Sequence, residues 1–242
     1  MRQTACEEMG KRIAKKGLPW FLTSLLVTLL ILPAFAADKE KDEDTLRQAN
    51  IVLQDMLSGN NIPQALLAKA DCVVILPGVK KFGIGVGGSG GRGPMLCRTG
   101  ANFDGKWSAP AMYTISGASV GLQLGGSSSD FVLLLMDQKV VNQFLKGKTK
   151  MGADATAAAG PGATAAGAVD NPDIYTYGRA KGLFAGVSLG SATLEPDSDA
   201  NYRLYGKRLA ATDILRSSDV KSPAGGEALV SLLDSKIAKH TN

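Results

Sequence analysis

Phe82-Gly83-Ile84-Gly85-Val86-Gly87-Gly88-Ser89-Gly90-Gly91 places glycines at 83, 87 and 91, four residues apart. On an extended chain, residues i, i+4 and i+8 share one face. The segment therefore reads as a strand with one face bare of side chains. The spacing recurs at Gly117, Gly121 and Gly125, and again at Gly178, Gly182, Gly186 and Gly190. Bare faces have two uses. A barrel or tightly coiled sheet needs glycine where it bends, and a glycine face lets a ligand or another backbone approach closely. We read curvature first, with a narrow groove for an acyl chain or a docked helix as the alternative. The fold class that follows is α+β: a strongly curved antiparallel sheet or barrel-like β-structure, with N-terminal helices and a C-terminal helix.

Working outward, Cys72-Val73-Val74-Ile75-Leu76 is a buried run stopped by Pro77-Gly78. Strands are expected over 79–89, 92–99, 107–115, 118–126 and 129–136. The turn residues between them are Gly90-Gly91, Asp104-Gly105, Gly117 and Ser127-Ser128. Upstream, Leu46, Ala49, Leu53, Met56 and Leu57 recur at helical spacing, predicting a helix over 45–58. Pro63 suits the first position of a second helix over 63–70. Downstream, Asp137 can cap a helix over 138–146. Residues 152–169 are nearly all Ala, Gly and Thr. A strand pair over 174–180 and 183–194 leads to an acidic loop and a helix over 223–238. The run Asp38 to Asp44 alternates charges and reads as a solvated linker over 37–44, leaving 45–242 as one domain.

The first 36 residues have the pattern of an export signal. Lys11, Arg12, Lys15 and Lys16 precede an apolar run from Phe21 to Leu32, and Pro33 ends any helix there. Ala34-Phe35-Ala36 then offers small residues at the positions a signal peptidase reads, so cleavage is expected between Ala36 and Ala37. The apolar run falls short of the roughly 20 residues a bilayer span needs. Five of the 27 basic and two of the 22 acidic residues lie in this segment. The remaining 22 and 20 give a formal charge of +2, which removes a global argument for nucleic-acid binding. Localisation follows as periplasm or cell envelope. Cys72 and Cys97 remain after cleavage, an even pair bound for an oxidising compartment. They are either a disulfide or two buried thiols, and the sequence leaves both open.

Most chemical motifs fail on context. Gly85 to Gly90 matches G-x-G-x-x-G, but another strand follows instead of the helix that must face a pyrophosphate. Gly87 to Gly91 spells G-x-S-x-G, yet the single histidine, His240, lies at the C-terminus and gives no base for the serine. Gly147-Lys148-Thr149 lacks the upstream glycine of a phosphate loop, where Asn142 stands. Asp197-Ser198-Asp199-Ala200-Asn201 alternates oxygens like a calcium loop, but Tyr202 and Arg208 occupy the required Gly and Glu positions. Zinc needs more Cys and His than the chain holds. No cofactor, metal or catalytic residue is expected.

Basic clusters remain. Lys80 and Lys81 follow the Pro77-Gly78 turn, Arg92 and Arg98 lie further along the hairpin, and Lys146, Lys148 and Lys150 alternate. Each base near an anionic lipid surface is worth about 1 kcal/mol, so these seven are the candidate lipid-binding residues.

Four segments, in order, resemble the SYLF domain, a lipid-binding module of eukaryotic actin-associated proteins that is also frequent in bacteria. Ala70 to Lys81 looks like its opening strand. Gly105-Lys106-Trp107-Ser108-Ala109-Pro110 looks like its Trp-Ser-Ala-Pro segment. Gly152-Ala153-Asp154 with Ala159-Gly160-Pro161 is similar to its glycine-proline motif. Tyr175 through Lys181 to Leu189 is the most specific piece, and the whole covers about residues 45–216. The resemblance implies binding of phosphoinositides or other anionic lipids, and actin binding in eukaryotic members. Export would remove the chain from actin. Some members use an amphipathic N-terminal helix against the membrane, but here 45–58 offers only Arg47 as a base, which shifts weight to the clusters above. An envelope-associated structural protein with a protein or glycan partner is the alternative reading.

Overall fold

The computed structural model describes residues 20–151, 157–159, 172–181 and 192–236. The basic segment before the apolar run, Gly152-Ala153-Asp154, Gly160-Pro161, Gly182, Gly186, Gly190, most of 183–194 and His240 lie outside the described residues. The chain divides into Met1–Asp38 and Lys39–Asn242.

Six α-helices and six strands are described. They run α1 (Trp20–Ser58), α2 (Gln64–Lys69), β1 (Cys72–Cys97), β2 (Ala111–Leu135), α3 (Gln138–Lys146), β3 (Thr149–Lys150) and β4 (Ala157–Ala159). Then follow β5 (Ile174–Lys181), β6 (Thr193–Pro196), α4 (Ser198–Tyr205), α5 (Ala211–Arg216) and α6 (Glu227–Lys236). The order across the sheet is β3-β6-β2-β5-β4, and β1 also pairs with β2. Every pairing is antiparallel except β4 with β5. The architecture is α+β with N-terminal and C-terminal helices on a strongly curled sheet.

Where six short strands were expected between 72 and 136, two long ones are found. Pro77-Gly78, Gly90-Gly91, Gly117 and Ser127-Ser128 do not turn the chain. They lie inside β1 and β2, which stay paired from Cys72↔Leu135 to Met95↔Ala111, with register shifts at Leu76/Val79 and Ile84/Val86. Glycine in a strand marks a bend as readily as a turn, and here it bends. A straight strand of 26 residues would span roughly 80 Å. The Cα atoms of Cys72 and Cys97, its two ends, are 4.0 Å apart and the residues are joined by a disulfide. The Arg98 N–H donates to the Asp71 carbonyl at 2.9 Å, closing the ring of backbone. At Gly91 a β-carbon would lie 2.9 Å from Val79 Cγ2 and 3.1 Å from Val79 Cα. At Gly93 it would collide with the Ile75 carbonyl. These glycines let β1 cross over its own beginning.

Both faces of the ribbon are covered, as the unbroken apolar run at Cys72–Leu76 demands. Cys72, Val74, Leu76, Phe131, Leu133 and Leu135 pack with Val141 and Phe144 of α3 and Ile214 and Leu215 of α5. The alternate residues Val73, Ile75, Val132 and Leu134 pack with Ala49, Leu53 and Met56 of α1, Leu67 of α2 and Leu229 and Leu233 of α6. Period-two alternation thus sorts the residues onto two cores.

Three expectations about helices change. First, α1 neither stops at Pro33 nor starts at residue 45: it runs from Trp20 to Ser58. Second, residues 38–44 are helical rather than a solvated linker. Asp42 stands four residues before Leu46, so it falls on the same inward face, and it is fully buried. Third, the acidic loop holds α4. Asp197 caps it by accepting from the Ala200 N–H at 2.9 Å, and the Asn201 side chain bonds both the N–H and the carbonyl of Met112. The alternating oxygens of 197–201 are used in capping and strand anchoring.

In denaturant without reductant, an alkylating reagent should label neither Cys72 nor Cys97, and labelling should appear once reductant is added. Cys97→Ser should lower the unfolding free energy by about 2–4 kcal/mol in urea titration. Labelling of both residues before reduction would contradict the bond.

Candidate functional site

A site that sets an accessible cation beside exposed apolar surface lies on β1 between its two register shifts. Lys80, Lys81 and Phe82 pair with Ser128, Ser127 and Gly126 of β2. Alternation is intact across these residues, so Lys80 and Phe82 share a face. Lys80 is exposed and Lys81 half-buried, and burial lowers the Lys81 ammonium below the usual lysine pKa. Phe82 is 68% exposed. Opposite it stands Gly126, and a β-carbon at Gly88 would lie 3.5 Å from its Cζ. The sequence reading singled out the two lysines and missed Phe82. Its signal was an aromatic set between a lysine pair and a glycine in a strand whose neighbours are also glycines.

The arginines have a different role, and both leave the list of lipid-binding candidates. Arg92 Nη1 lies 2.7 Å from Asp42 Oδ1, and Arg203 Nε lies 2.6 Å from Asp42 Oδ2. Asp42 is fully buried and the two guanidiniums are mostly covered, so the triad ties α1, β1 and α4 together. Next to it, Glu43 accepts from the Gly225 N–H. Arg98 is buried, with its guanidinium 4.9 Å from the Trp107 ring centroid and reaching the carbonyls of Gly105 and Ala68. Burial lowers its pKa, and Asp234 and Asp71 offset part of that. The Asp71 carboxyl is itself pushed up to about 6, by burial first and then by Asp137, with Arg98 opposing. A buried arginine is held by its partners and stacking ring, and is not presented to a ligand.

Lys146, Lys148 and Lys150 are exposed. They do not share one strand face as expected, because Lys146 ends α3 and only Lys148 and Lys150 follow on extended chain. At a helix C-terminus the Lys146 charge meets the negative end of the dipole. Lys148 lies 3.7 Å from Glu195 on β6. Through β6 this cluster joins β2 at Tyr113–Ser116, whereas Lys80 and Lys81 join it at Ser128 and Ser127. The lysines form two clusters along the sheet.

A second buried carboxylate organises the segment from Tyr175. Asp130, 1% exposed, accepts from the Gly78 N–H at 2.9 Å and from Arg179 at 3.0 Å, and Arg179 also reaches Asp55 on α1 at 3.1 Å. In the Trp107-Ser108-Ala109-Pro110 segment, Ser108 Oγ accepts from the Cys97 N–H at 3.1 Å. Trp107 bridges Arg98 across the hairpin end. These residues hold the closure of β1 and were absent from the candidates read from sequence.

The described residues form a curled, helix-covered sheet with an exposed aromatic beside Lys80 on β1. Comparison with known proteins gives its kinship. Residues 116–236 match the family described as "Ysc84: Las17-binding protein actin regulator". The bovine SH3 domain-containing YSC84-like protein 1 is 38% identical over 184 residues, which are 74% of this chain and 52% of that protein. The human protein of that name is 37% identical over 186 residues, 75% of this chain and 53% of its own length. Protein YSC84 of Saccharomyces cerevisiae is 34% identical over 188 residues, 74% and 39% respectively. The chain therefore belongs to the Ysc84, or SYLF, family. It spans about half the length, or less, of the curated relatives it matches. No solved structure matches it.

Removing Asp42 should leave two guanidiniums facing each other in a largely covered site. Asp42→Ala should lower stability by about 3 kcal/mol, read from the urea midpoint. Lys80→Ala should stay within about 0.5 kcal/mol of the parent. Equal effects of the two would contradict the division into structural and surface cations.

Proposed function

We propose that this chain is an exported, non-catalytic lipid-binding domain that recognises anionic phospholipid or phosphoinositide headgroups and associates peripherally with a membrane. The observation that carries the reading is the surface position of the lysines. Lys80, Lys146, Lys148 and Lys150 are exposed and Lys81 is half-exposed, while Arg92 and Arg98 are committed to the fold. A surface potential attracts such lysines without needing a pocket, and its pull decays within a Debye length. Lipid binding is also what the SYLF resemblance implies. Residues 1–36 direct export with cleavage after Ala36, which places the domain in the periplasm or envelope. The family's description names an actin regulator, and its relatives carry SH3 domains by name. For an exported domain we set actin aside.

The test is flotation of the processed protein with neutral vesicles and with vesicles containing phosphatidylglycerol, cardiolipin or a phosphoinositide, at low and high salt. Anionic vesicles should carry the protein up and neutral ones should not. Lys80→Ala with Lys81→Ala should weaken binding by roughly tenfold or more, at about 1 kcal/mol per base. Flotation with none of them would overturn the reading and turn attention to a protein or glycan partner in the envelope.

A further inference from the structure

An aromatic ring 68% exposed on a strand is a feature that electrostatic attraction does not use. Among the residues whose side chains are described, Ile51, Phe82 and Tyr202 are large, apolar and exposed, and Phe82 is the most exposed of them. Its setting is specific. Lys80 shares its face, and across the ladder on that face stand Gly126 and Ser128, both small. The ring lies against Gly88 and is part of neither core, so contact with something outside the chain would take it out of water.

We propose that Phe82 is a membrane anchor: on contact with an anionic bilayer it enters the boundary between headgroups and acyl chains while Lys80, on the same face, stays at headgroup level. The inference rests on the lipid reading above and adds an apolar component to it. The occupant is identified by complementarity. An aromatic with an ammonium beside it on the same face matches an interface that is apolar below and anionic above. Lysine stems can lie along apolar surface with the charge kept in water. The Ser128 hydroxyl opposite Lys80 adds a small donor at the same level without bulk that would hold the bilayer off. This segment pairs in continuous register with β2 between the two register shifts, so the ring is carried on a paired strand.

The experiment uses the processed protein, in which Trp107 is the single tryptophan and is buried. Phe82→Trp introduces a reporter at the anchor, and Phe82→Ala removes the anchor. With phosphatidylglycerol vesicles, the emission of Phe82→Trp should shift to the blue and be quenched by lipids brominated near the glycerol end of the chains, while the parent's emission stays constant. Phe82→Ala should still float at low salt through its lysines, but its salt-resistant binding should fall about tenfold. If Phe82→Trp floats with its emission unshifted and unquenched, and Phe82→Ala retains the parent's salt-resistant binding, the anchor is overturned and the electrostatic reading stands. If the parent protein fails to float, both are overturned. Circular dichroism and the urea midpoint of each variant, matching the parent, separate loss of anchoring from loss of fold.

Discussion

The structure depends on β1 closing upon itself. A strand that would otherwise run for roughly 80 Å is curled until Asp71 and Cys72 meet Cys97 and Arg98, through a disulfide and a backbone hydrogen bond. That closure is sterically permitted at two residues, Gly91 and Gly93, where Val79 and the Ile75 carbonyl occupy the space a β-carbon would need. Once the ribbon is curled, its alternate side chains face two separate cores, and each core needs its own helices. α3 and α5 cover one, and α1, α2 and α6 cover the other. The buried carboxylates then lock helices to the ribbon: Asp42 through Arg92 and Arg203, and Asp130 through Arg179 and the Gly78 N–H. Such buried pairs add little net stability over apolar packing, but they penalise any arrangement that leaves one partner unpaired.

Much of this was legible in the sequence, and the parts that were not have physical reasons. The glycine spacing pointed to curvature, and the apolar spacing of 45–58 and the Asp137 cap placed helices where they are found. Strand number was misread because Gly90-Gly91 and Pro77-Gly78 carry identical local signals whether a chain turns or bends. Only the pairing of 72–97 with 111–135 separates the two cases. Asp42 was read as part of a solvated run because its partners, Arg92 and Arg203, lie far along the chain. Its position four residues before Leu46 was the clue available. Of the seven candidate cations, four lysines are exposed, Lys81 and Arg92 are half-buried, and Arg98 is buried, with Arg92 paired to the buried Asp42. The side-chain chemistry accounts for this. A guanidinium stacks on Trp107 or forks onto a carboxylate, while an ammonium is strongly hydrated and favours water.

Membership of the Ysc84 family and the division of cations lead to one functional picture. The conspicuous arginines and the Trp107 and Tyr175 segments maintain the closed ribbon. Among the residues whose side chains are described, Lys80 and Phe82 set exposed charge beside exposed apolar area on one face of β1. In this picture the glycines serve recognition indirectly: by curving the ribbon and leaving Gly88 and Gly126 bare, they keep one aromatic ring in the open.

The central claim is that this face of β1 is the membrane-facing surface, and hydrogen exchange locates such a surface without any substitution. Exchange into peptides of the processed protein would be followed by mass spectrometry with and without phosphatidylglycerol vesicles. The account predicts slowed exchange on vesicle binding in the peptides covering 79–84 and 126–129, with α4, α5 and α6 unchanged. Slowed exchange confined to the C-terminal helices, with 79–84 unaffected, would contradict it.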